Sequence, residues 1–210
     1  MIYLILTASI HDHFGKQDPQ KRQEQYSHAI TKTLQHLPAS ITPIIVENNG
    51  ARATYLDHFT HAGKSVPVIY TTNNTVQYRT KGVNEFLDLK EVIQRVGMKE
   101  SDMIIKLTGR YRATSPHMFE QVIANESTYD AFVKFYGVDS LQMETYDCVL
   151  GCFALRVNYL LLFRPFSMNM NRTPEHVFAK YVRFCGGRLK EIDKLDVECI
   201  FADNFRKLLV

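Results

Sequence analysis

The sequence predicts an α/β fold with a mainly parallel central sheet flanked by helices. Apolar runs of strand length alternate along the chain with segments whose apolar residues recur at helical spacing. This order is typical of parallel strands connected by helices. The chain has 210 residues, 45% of them hydrophobic and 22% charged, with no internal repeat, which suits a globular protein with one substantial core.

Strands and helices alternate through the first half of the chain. Residues 2–8 are apolar and form the first predicted strand, and a polar loop leads into a helix at 20–37. Tyr26, Ile30 and Leu34 share one face of this helix, which ends before a proline. The next predicted elements are a strand at 42–47 closed by Asn-Asn-Gly, a short helix at 53–63 with Gly63 as its C-cap, a strand at 66–71, and a helix at 81–97 closed by glycine.

The second half continues the alternation. Its predicted elements are a strand at 103–108, a helix at 116–125, strands at 129–137 and 148–156, a helix from 157, a helix at 173–185, and a tail of mixed strand and helix at 194–210. The helix at 173–185 has the clearest start signal. Thr173 can act as its N-cap, and Pro174 stands at the first helical position.

Charge, cysteine and hydropathy patterns exclude several classes of function. The net charge of +3 is spread along the chain, whereas a nucleic-acid-binding protein would carry a clustered basic face. Four cysteines without a second closely spaced pair predict free thiols rather than a zinc site. The apolar N-terminus lacks a basic region and a cleavage site, and no apolar run approaches the roughly 18 residues of a membrane span. We therefore expect a cytoplasmic protein.

The strand at 103–108 runs directly into a group of cations. Gly109, Arg110 and Arg112 follow its end within a few residues. In open α/β sheets ligands bind outside the carboxyl ends of the strands, and guanidinium groups bind phosphate through two parallel hydrogen bonds. A glycine at such a position lets a ligand approach the backbone closely. This pattern predicts an anionic ligand, the diphosphate of a nucleotide sugar.

Polar residues follow the other predicted strands as well. Because the carboxyl ends of parallel strands meet at one edge of a sheet, we expect these residues to surround a common ligand. The residues expected to bind the nucleotide and its diphosphate are Thr7, Ala8, Ser9, Asn48, Lys81, Lys106, Gly109 and Arg110.

For both lysines in this set, a purely structural role is the alternative to ligand binding. Lys106 lies within an apolar run, where a buried ammonium needs an anionic partner, which is either the ligand or a nearby carboxylate such as Glu85. Lys81 and Gly82 open a helix whose N-terminus attracts anions. Glu85 follows three residues after Gly82 on the same helical face, where it would equally favour the helix dipole. The sequence leaves both alternatives open.

The segment Lys81-Gly82 with Glu85, followed by the strand "IIKLTGRY" at 104–111, resembles small bacterial and viral glycosyltransferases of the GT-A nucleotide-sugar type. The resemblance covers residues 1–180 in element order, and its specific parts are 81–85 and 104–111. It implies a single GT-A-like domain over 1–210, with a nucleotide-binding half at about 1–115 and a sugar- and acceptor-binding half at about 116–210. It also implies transfer of a sugar from a nucleoside diphosphate sugar to a glycan or other hydroxyl acceptor.

The chain departs from this family at the expected metal site. GT-A enzymes generally carry Asp-x-Asp at the end of this strand, which holds a divalent metal on the diphosphate, but here Thr108, Gly109 and Arg110 take its place. The departure leaves two alternatives: the metal ligands come from elsewhere in the chain, or the transfer is metal-independent and Lys106, Arg110 and Lys81 neutralise the diphosphate. No residue is assigned as a metal ligand, and a requirement for Mn²⁺ or Mg²⁺ has no supporting motif.

A second potential metal motif is the sequence His11-Asp12-His13. It could chelate a metal ion if a third ligand were nearby, and a solvated loop is the alternative.

A glycosyl transfer with inversion needs a carboxylate that takes the proton of the acceptor hydroxyl. Glu175 is the first candidate for this base and Asp130 the second. The alternatives are stabilisation of the first helical turn by Glu175 and a simple strand start at Asp130.

The alternative function is a non-catalytic module that binds a nucleotide sugar or a partner protein on the same fold. Other α/β enzymes are disfavoured because the chain lacks the glycine-rich dinucleotide fingerprint, the Walker phosphate loop and the Gly-x-Ser-x-Gly elbow.

Overall fold

The computed structural model describes residues 1–11, 18–52, 54–74, 81–135, 147–165, 173–200 and 207–210. Its strands are β1 (Ile2–Ala8), β2 (Thr42–Glu47), β3 (Thr60–His61), β4 (Lys64–Ser65), β5 (Val68–Tyr70), β6 (Met103–Thr108), β7 (Arg112–Ala113), β8 (Ala131–Phe135), β9 (Cys148–Arg156), β10 (Leu189–Glu191), β11 (Val197–Ile200) and β12 (Lys207–Leu209). Its helices are α1 (Pro19–His36), α2 (Lys81–Val96), α3 (His117–Asn125), α4 (Val157–Leu162) and α5 (Pro174–Phe184).

Seven of the strands form one central sheet in the order β5-β2-β1-β6-β9-β8-β10. Every neighbouring pair is parallel except those of β9, which runs antiparallel to β6 and β8. The sheet therefore confirms the predicted α/β fold with a mainly parallel sheet. Strands from both predicted halves of the chain share it, and the division into halves remains a prediction.

The core lies on both faces of this sheet because its central strands are covered on each side. Leu4 and Leu6 of β1 pack with α1 and α3 on one face, whereas Tyr3 and Ile5 pack with α2, α4 and α5 on the other. A strand buried on both faces reads as a continuous apolar run, which explains the composition of β1 and β6. On the second face four aromatic rings pack together: Phe86, Phe153, Phe163 and Phe178.

The prediction of a helix at 53–63 is wrong. Within the described part of this segment, residues 54–63, a single 3₁₀ turn forms over Thr54–Leu56, and β3 and β4 follow as a small hairpin. The hairpin turn consists of Ala62 and Gly63, whose φ angles are 47° and 75°, so the glycine serves a tight turn rather than a helix C-cap. Burial of Phe59 and Val66 on either side of the hairpin favours this arrangement over a helix.

Other local predictions are confirmed. The side chain of Thr173 accepts a hydrogen bond from the backbone N–H of His176, and Pro174 is the first residue of α5. Gly97 adopts a positive φ of 69° just after α2. In the tail, β11 and β12 are strands, and residues 201–206 between them lie outside the described residues. None of the helices in the described segments combines the length and the hydropathy that a membrane span requires.

Candidate functional site

An open cleft lies at the carboxyl edge of the sheet, beside the ends of β1, β2 and β6. The cleft has a volume of about 410 Å³, which includes the space at its mouth that is open to solvent. Six of the residues predicted to bind the nucleotide line it together: Thr7, Ala8, Ser9, Asn48, Lys81 and Arg110. The topology explains this convergence, because β1, β2 and β6 are parallel neighbours and α2 begins beside them.

Arg110 provides a buried positive charge in the cleft wall. The residue is 8% exposed, and its Nη1 donates a hydrogen bond to the carbonyl oxygen of Ile200 at 3.0 Å. Its Nε is also buried but has no hydrogen-bond acceptor among the described residues. Burial lowers the pKa of this guanidinium, but Tyr26, Tyr111 and Glu85 more than offset that effect, so its pKa is raised overall. The group stays cationic and has an unused donor.

Lys106 does not line the cleft, which corrects the expectation that it binds the diphosphate. Its Nζ lies 2.5 Å from Oε2 of Glu85, 2.7 Å from Oγ1 of Thr108 and 3.2 Å from the carbonyl oxygen of Leu150. The side chain is 1% exposed, and each of its three N–H groups has an acceptor. The structure therefore contains the alternative left open by the sequence, an internal ion pair with Glu85.

Glu85 is the other half of this pair and lines the cleft itself. Its Oε1 accepts hydrogen bonds from Oγ1 of Thr7 at 3.1 Å and of Thr108 at 3.3 Å. Its side chain is 23% exposed, so a carboxylate faces the cleft although Lys106 neutralises its charge. The position of Glu85 one turn into α2 was the available sequence signal, but only its contacts show that it belongs to the cleft.

Gly109 has a structural role that differs from the predicted one. Its backbone N–H donates to the carbonyl oxygen of Thr7 at 2.8 Å. A Cβ at Gly109 would lie 2.8 Å from that oxygen and 3.0 Å from Cδ1 of Tyr26. The absence of a side chain therefore lets β6 and α1 approach β1 closely, and the residue makes room for protein rather than for ligand.

Arg22 and Tyr26 on α1 form the side of the cleft next to the end of β1. The Arg22 guanidinium is buried and donates from Nε to the carbonyl oxygens of Ser9 at 3.0 Å and Ile10 at 3.1 Å. Its Nη2 lies 3.2 Å from the Tyr26 hydroxyl. Their spacing of four residues on one helix face was visible in the sequence, but such a pair is usually a surface arginine and a core tyrosine.

The ends of β2 and β5 are joined by a buried carboxyl group on α2. Asp88 is 0% exposed and accepts hydrogen bonds from Oγ1 of Thr71 at 2.5 Å, Nδ2 of Asn73 at 3.0 Å and Nδ2 of Asn48 at 3.0 Å. Burial raises the pKa of Asp88 to about 7, although its hydrogen bonds act in the opposite direction. Asp88 carries no signal of its role in the sequence, where it reads as an ordinary polar residue of a helix.

Asp130 lies away from the cleft. It precedes β8, whose first residue pairs with Leu155, and Leu155 pairs with Ile104 near the start of β6. Its carboxylate contacts Nε of Arg156 at 2.9 Å and Nε of Arg188 at 3.3 Å. Burial raises its pKa, but the hydrogen bonds from both arginines hold the pKa below its usual value overall. We therefore withdraw Asp130 as a candidate base.

Glu175 lies in the first turn of α5, close to the start of α2. A Cβ on Gly82 would lie 2.9 Å from Cβ of Pro174, so the two helix starts are in close contact. Lys81, next to Gly82, lines the cleft, whereas Glu175 does not. Its role as a base remains a prediction.

Metal-binding side chains do not cluster in the described parts of the chain, where no three His, Cys, Asp or Glu residues could hold an ion together. Asp12 and His13 of the His-Asp-His motif lie outside these residues. The four cysteines are free thiols.

Comparison with known proteins identifies the fold. No protein-family model and no curated protein sequence matches the chain. A Desulfovibrio desulfuricans structure assigned as a nucleotide-diphospho-sugar transferase is similar with a TM-score of 0.57 and 10% identity, over 91% of this chain and 79% of that one. A mannosyltransferase from Pyrobaculum calidifontis, in complex with GDP-Man and Mn²⁺, has a TM-score of 0.63 and 9% identity over 97% of this chain.

The similarity extends to a synthetase whose structure was solved with a nucleoside triphosphate. CMP:2-keto-3-deoxy-manno-octonic acid synthetase, in complex with CTP, matches with a TM-score of 0.53 and 10% identity, over 91% of this chain and 89% of that one. By contrast, this chain spans only 58% of the mannosyltransferase. The fold is that of GT-A-like nucleotide-diphospho-sugar transferases, which confirms the resemblance at the level of fold.

Proposed function

We propose that this protein transfers a sugar from a nucleoside diphosphate sugar to an acceptor hydroxyl. The observation that carries the proposal is the buried Arg110 in a cleft at the strand ends, whose Nε has no acceptor within the described segments. A buried donor without a partner costs about 1–3 kcal/mol, and a bound anion would remove this cost. Lys81, at the first residue of α2, adds a second cation beside the positive end of a helix dipole. The fold is the one that nucleotide-diphospho-sugar transferases use.

In this reaction the bond between the anomeric carbon and the diphosphate oxygen breaks as a bond to the acceptor oxygen forms. Negative charge then develops on the departing nucleoside diphosphate, where Arg110 and Lys81 stabilise it. Glu175 takes the proton of the acceptor hydroxyl. Lys106 acts from beneath the cleft by neutralising Glu85, so that this carboxylate does not repel the anionic donor.

Calorimetric titration with uridine, guanosine and thymidine diphosphate sugars tests the donor site. We expect at least one to bind at millimolar concentration or below, and Arg110→Met to weaken that binding at least about tenfold because a charged hydrogen bond is lost. Arg95→Met is the matched control, since Arg95 is exposed near the other end of α2 and pairs with Glu91. If none of the panel binds, or if both variants behave alike, the donor site is not here.

Nucleotidyl transfer is the second candidate, because the chain spans far more of the CTP-bound synthetase than of the mannosyltransferase. The two reactions release different products. Sugar transfer yields a nucleoside diphosphate, whereas activation of a sugar by a nucleoside triphosphate yields pyrophosphate. Phosphorus NMR of the products, with and without added Mn²⁺ or Mg²⁺, separates them. Nucleotide binding without either product would favour the non-catalytic module.

A further inference from the structure

The amide oxygen of Asn48 is a buried acceptor in the cleft wall. Asn48 follows the last residue of β2, is 5% exposed and lines the cleft. Its Nδ2 donates to Oδ2 of Asp88 at 3.0 Å. Its Oδ1 is buried without a hydrogen-bond donor among the described residues. The unused group on Asn48 is therefore an acceptor, the opposite of the unused donor on Arg110.

Asp88 determines the orientation of the Asn48 side-chain amide, and therefore which of its polar atoms has no partner among the described residues. An ionised carboxylate can only accept hydrogen bonds, and this one is surrounded by donors from Thr71, Asn73 and Asn48. Reversing the Asn48 amide would place its oxygen against a carboxylate oxygen. Asp88 therefore keeps the amide nitrogen toward itself and leaves the oxygen for another donor.

The chemistry of the ligand decides what this oxygen can bind. Phosphate oxygens are acceptors and cannot donate to it, so Arg110 and Lys81 suit the diphosphate whereas Asn48 suits the nucleoside. Uracil, thymine and guanine carry an N–H at the central ring nitrogen of their pairing edge, whereas cytosine and adenine carry a lone pair there and donate only from the amino group beside it.

We propose that Asp88 is a positioning residue that fixes Asn48 as a hydrogen-bond acceptor for the nucleobase, so that the cleft selects bases with a ring N–H. The inference rests on the proposed function, which it deepens by naming the class of nucleotide. Asp88 acts only through Asn48 and does not line the cleft.

The arrangement also makes base selection depend on pH. A protonated Asp88 could donate to the oxygen of Asn48, and the amide could then reverse. Burial raises the pKa of Asp88 to about 7, and Glu85 on the same helix adds to the rise. Glu91 reaches Asp88 through Asn73, whereas β2 and the segment after β5 present neutral donors to it. The carboxylate of Glu47, on β2, instead accepts from the N–H of Ile10 and the hydroxyl of Tyr55.

Calorimetry with two matched pairs of nucleotides tests the proposal: UDP against CDP, and GDP against ADP. The ratio within a pair cancels the titration of the diphosphate itself. At pH 8 we expect UDP over CDP, or GDP over ADP, by about tenfold, the usual effect of one hydrogen bond in a buried site. The preference should shrink at pH 6. Asp88→Asn should abolish it at both pH values, whereas the control Glu91→Gln should retain it.

Asn48→Leu provides an independent variant if Asp88→Asn does not fold. It should weaken the ring N–H nucleotide about tenfold and leave its matched partner unchanged. Equal weakening of both nucleotides would assign Asn48 to the ribose and overturn the inference, as would a preference that neither variant alters. Nucleotide binding without base preference overturns this inference alone. If no nucleotide binds, the proposed function fails with it.

Discussion

Single charged residues in this protein owe their roles to their partners. Lys106 and Arg110 are both buried cations within five residues of each other, but Lys106 has a carboxylate and two further acceptors, whereas the Arg110 Nε has none among the described residues. The first is therefore held in an internal ion pair, whereas the second keeps a donor that the proposed ligand would use.

The Lys106–Glu85 pair should respond unequally to removal of its two members. Glu85→Met leaves a fully buried ammonium without its counter-ion and should cost about 3 kcal/mol of unfolding free energy. Lys106→Met leaves a carboxylate that is partly exposed and still bonded to Thr7, so it should cost about 1–2 kcal/mol. The double variant should be more stable than the sum of both losses implies. Urea denaturation of the three variants measures this, and strictly additive losses would contradict the pairing.

At the scale of elements, helices and strands follow local sequence signals wherever those signals agree. The burial of β1 and β6 follows from their uninterrupted apolar runs, and α5 begins at the predicted cap. The hairpin of β3 and β4 was missed because its segment carries both helical spacing and a turn glycine. Burial of Phe59 and Val66 favours the hairpin over the helix. The local sequence does not show which residues will be buried.

The N-cap of α1 gives a prediction at this scale, because this helix carries Arg22 and Tyr26 to the cleft. The side chain of Asp18 accepts from the backbone N–H of Gln20 at 2.8 Å. Asp18→Ala should lower the unfolding free energy by about 1 kcal/mol. Glu24→Ala removes an exposed carboxylate from the same helix without touching the cap and should change stability by less than about 0.5 kcal/mol. Equal effects in thermal or urea denaturation would mean that charge, not capping, is responsible.

At the scale of the whole molecule, carboxyl groups with shifted pKa values make the stability depend on pH in opposite directions. Asp102 and Asp130 have lowered pKa values because hydrogen bonds outweigh their burial, so their stabilisation is present above the unfolded pKa and lost as pH falls through the folded one. Asp88 behaves in the opposite way. Its folded pKa of about 7 lies above the unfolded value of 3.8, so Asp88 stays protonated to a higher pH in the folded chain. Stability is therefore lost as the pH rises between these two values.

We therefore expect Asp88→Asn to remove a pH-dependent cost. The unfolding free energy of the unaltered protein relative to Asp88→Asn should fall by about 2.5 kcal/mol between pH 5 and pH 8. Asp130→Asn should give no such decline over this range, because its lowered pKa keeps it ionised throughout. Urea denaturation at intervals of one pH unit measures the difference. A constant difference across the range would show that Asp88 does not titrate there.

The sequence by itself determined the α/β class, most of the elements and the edge of the sheet at which the cleft lies. These features depend on residues close together in the chain, through apolar periodicity, caps and the shared direction of parallel strands. Only the tertiary structure decided that Lys106 pairs with Glu85, that Asp130 lies away from the cleft, and that Asp88 holds Asn48 across 40 positions. The energy of a buried charge or amide depends on the groups that surround it in space, and local patterns do not contain those groups.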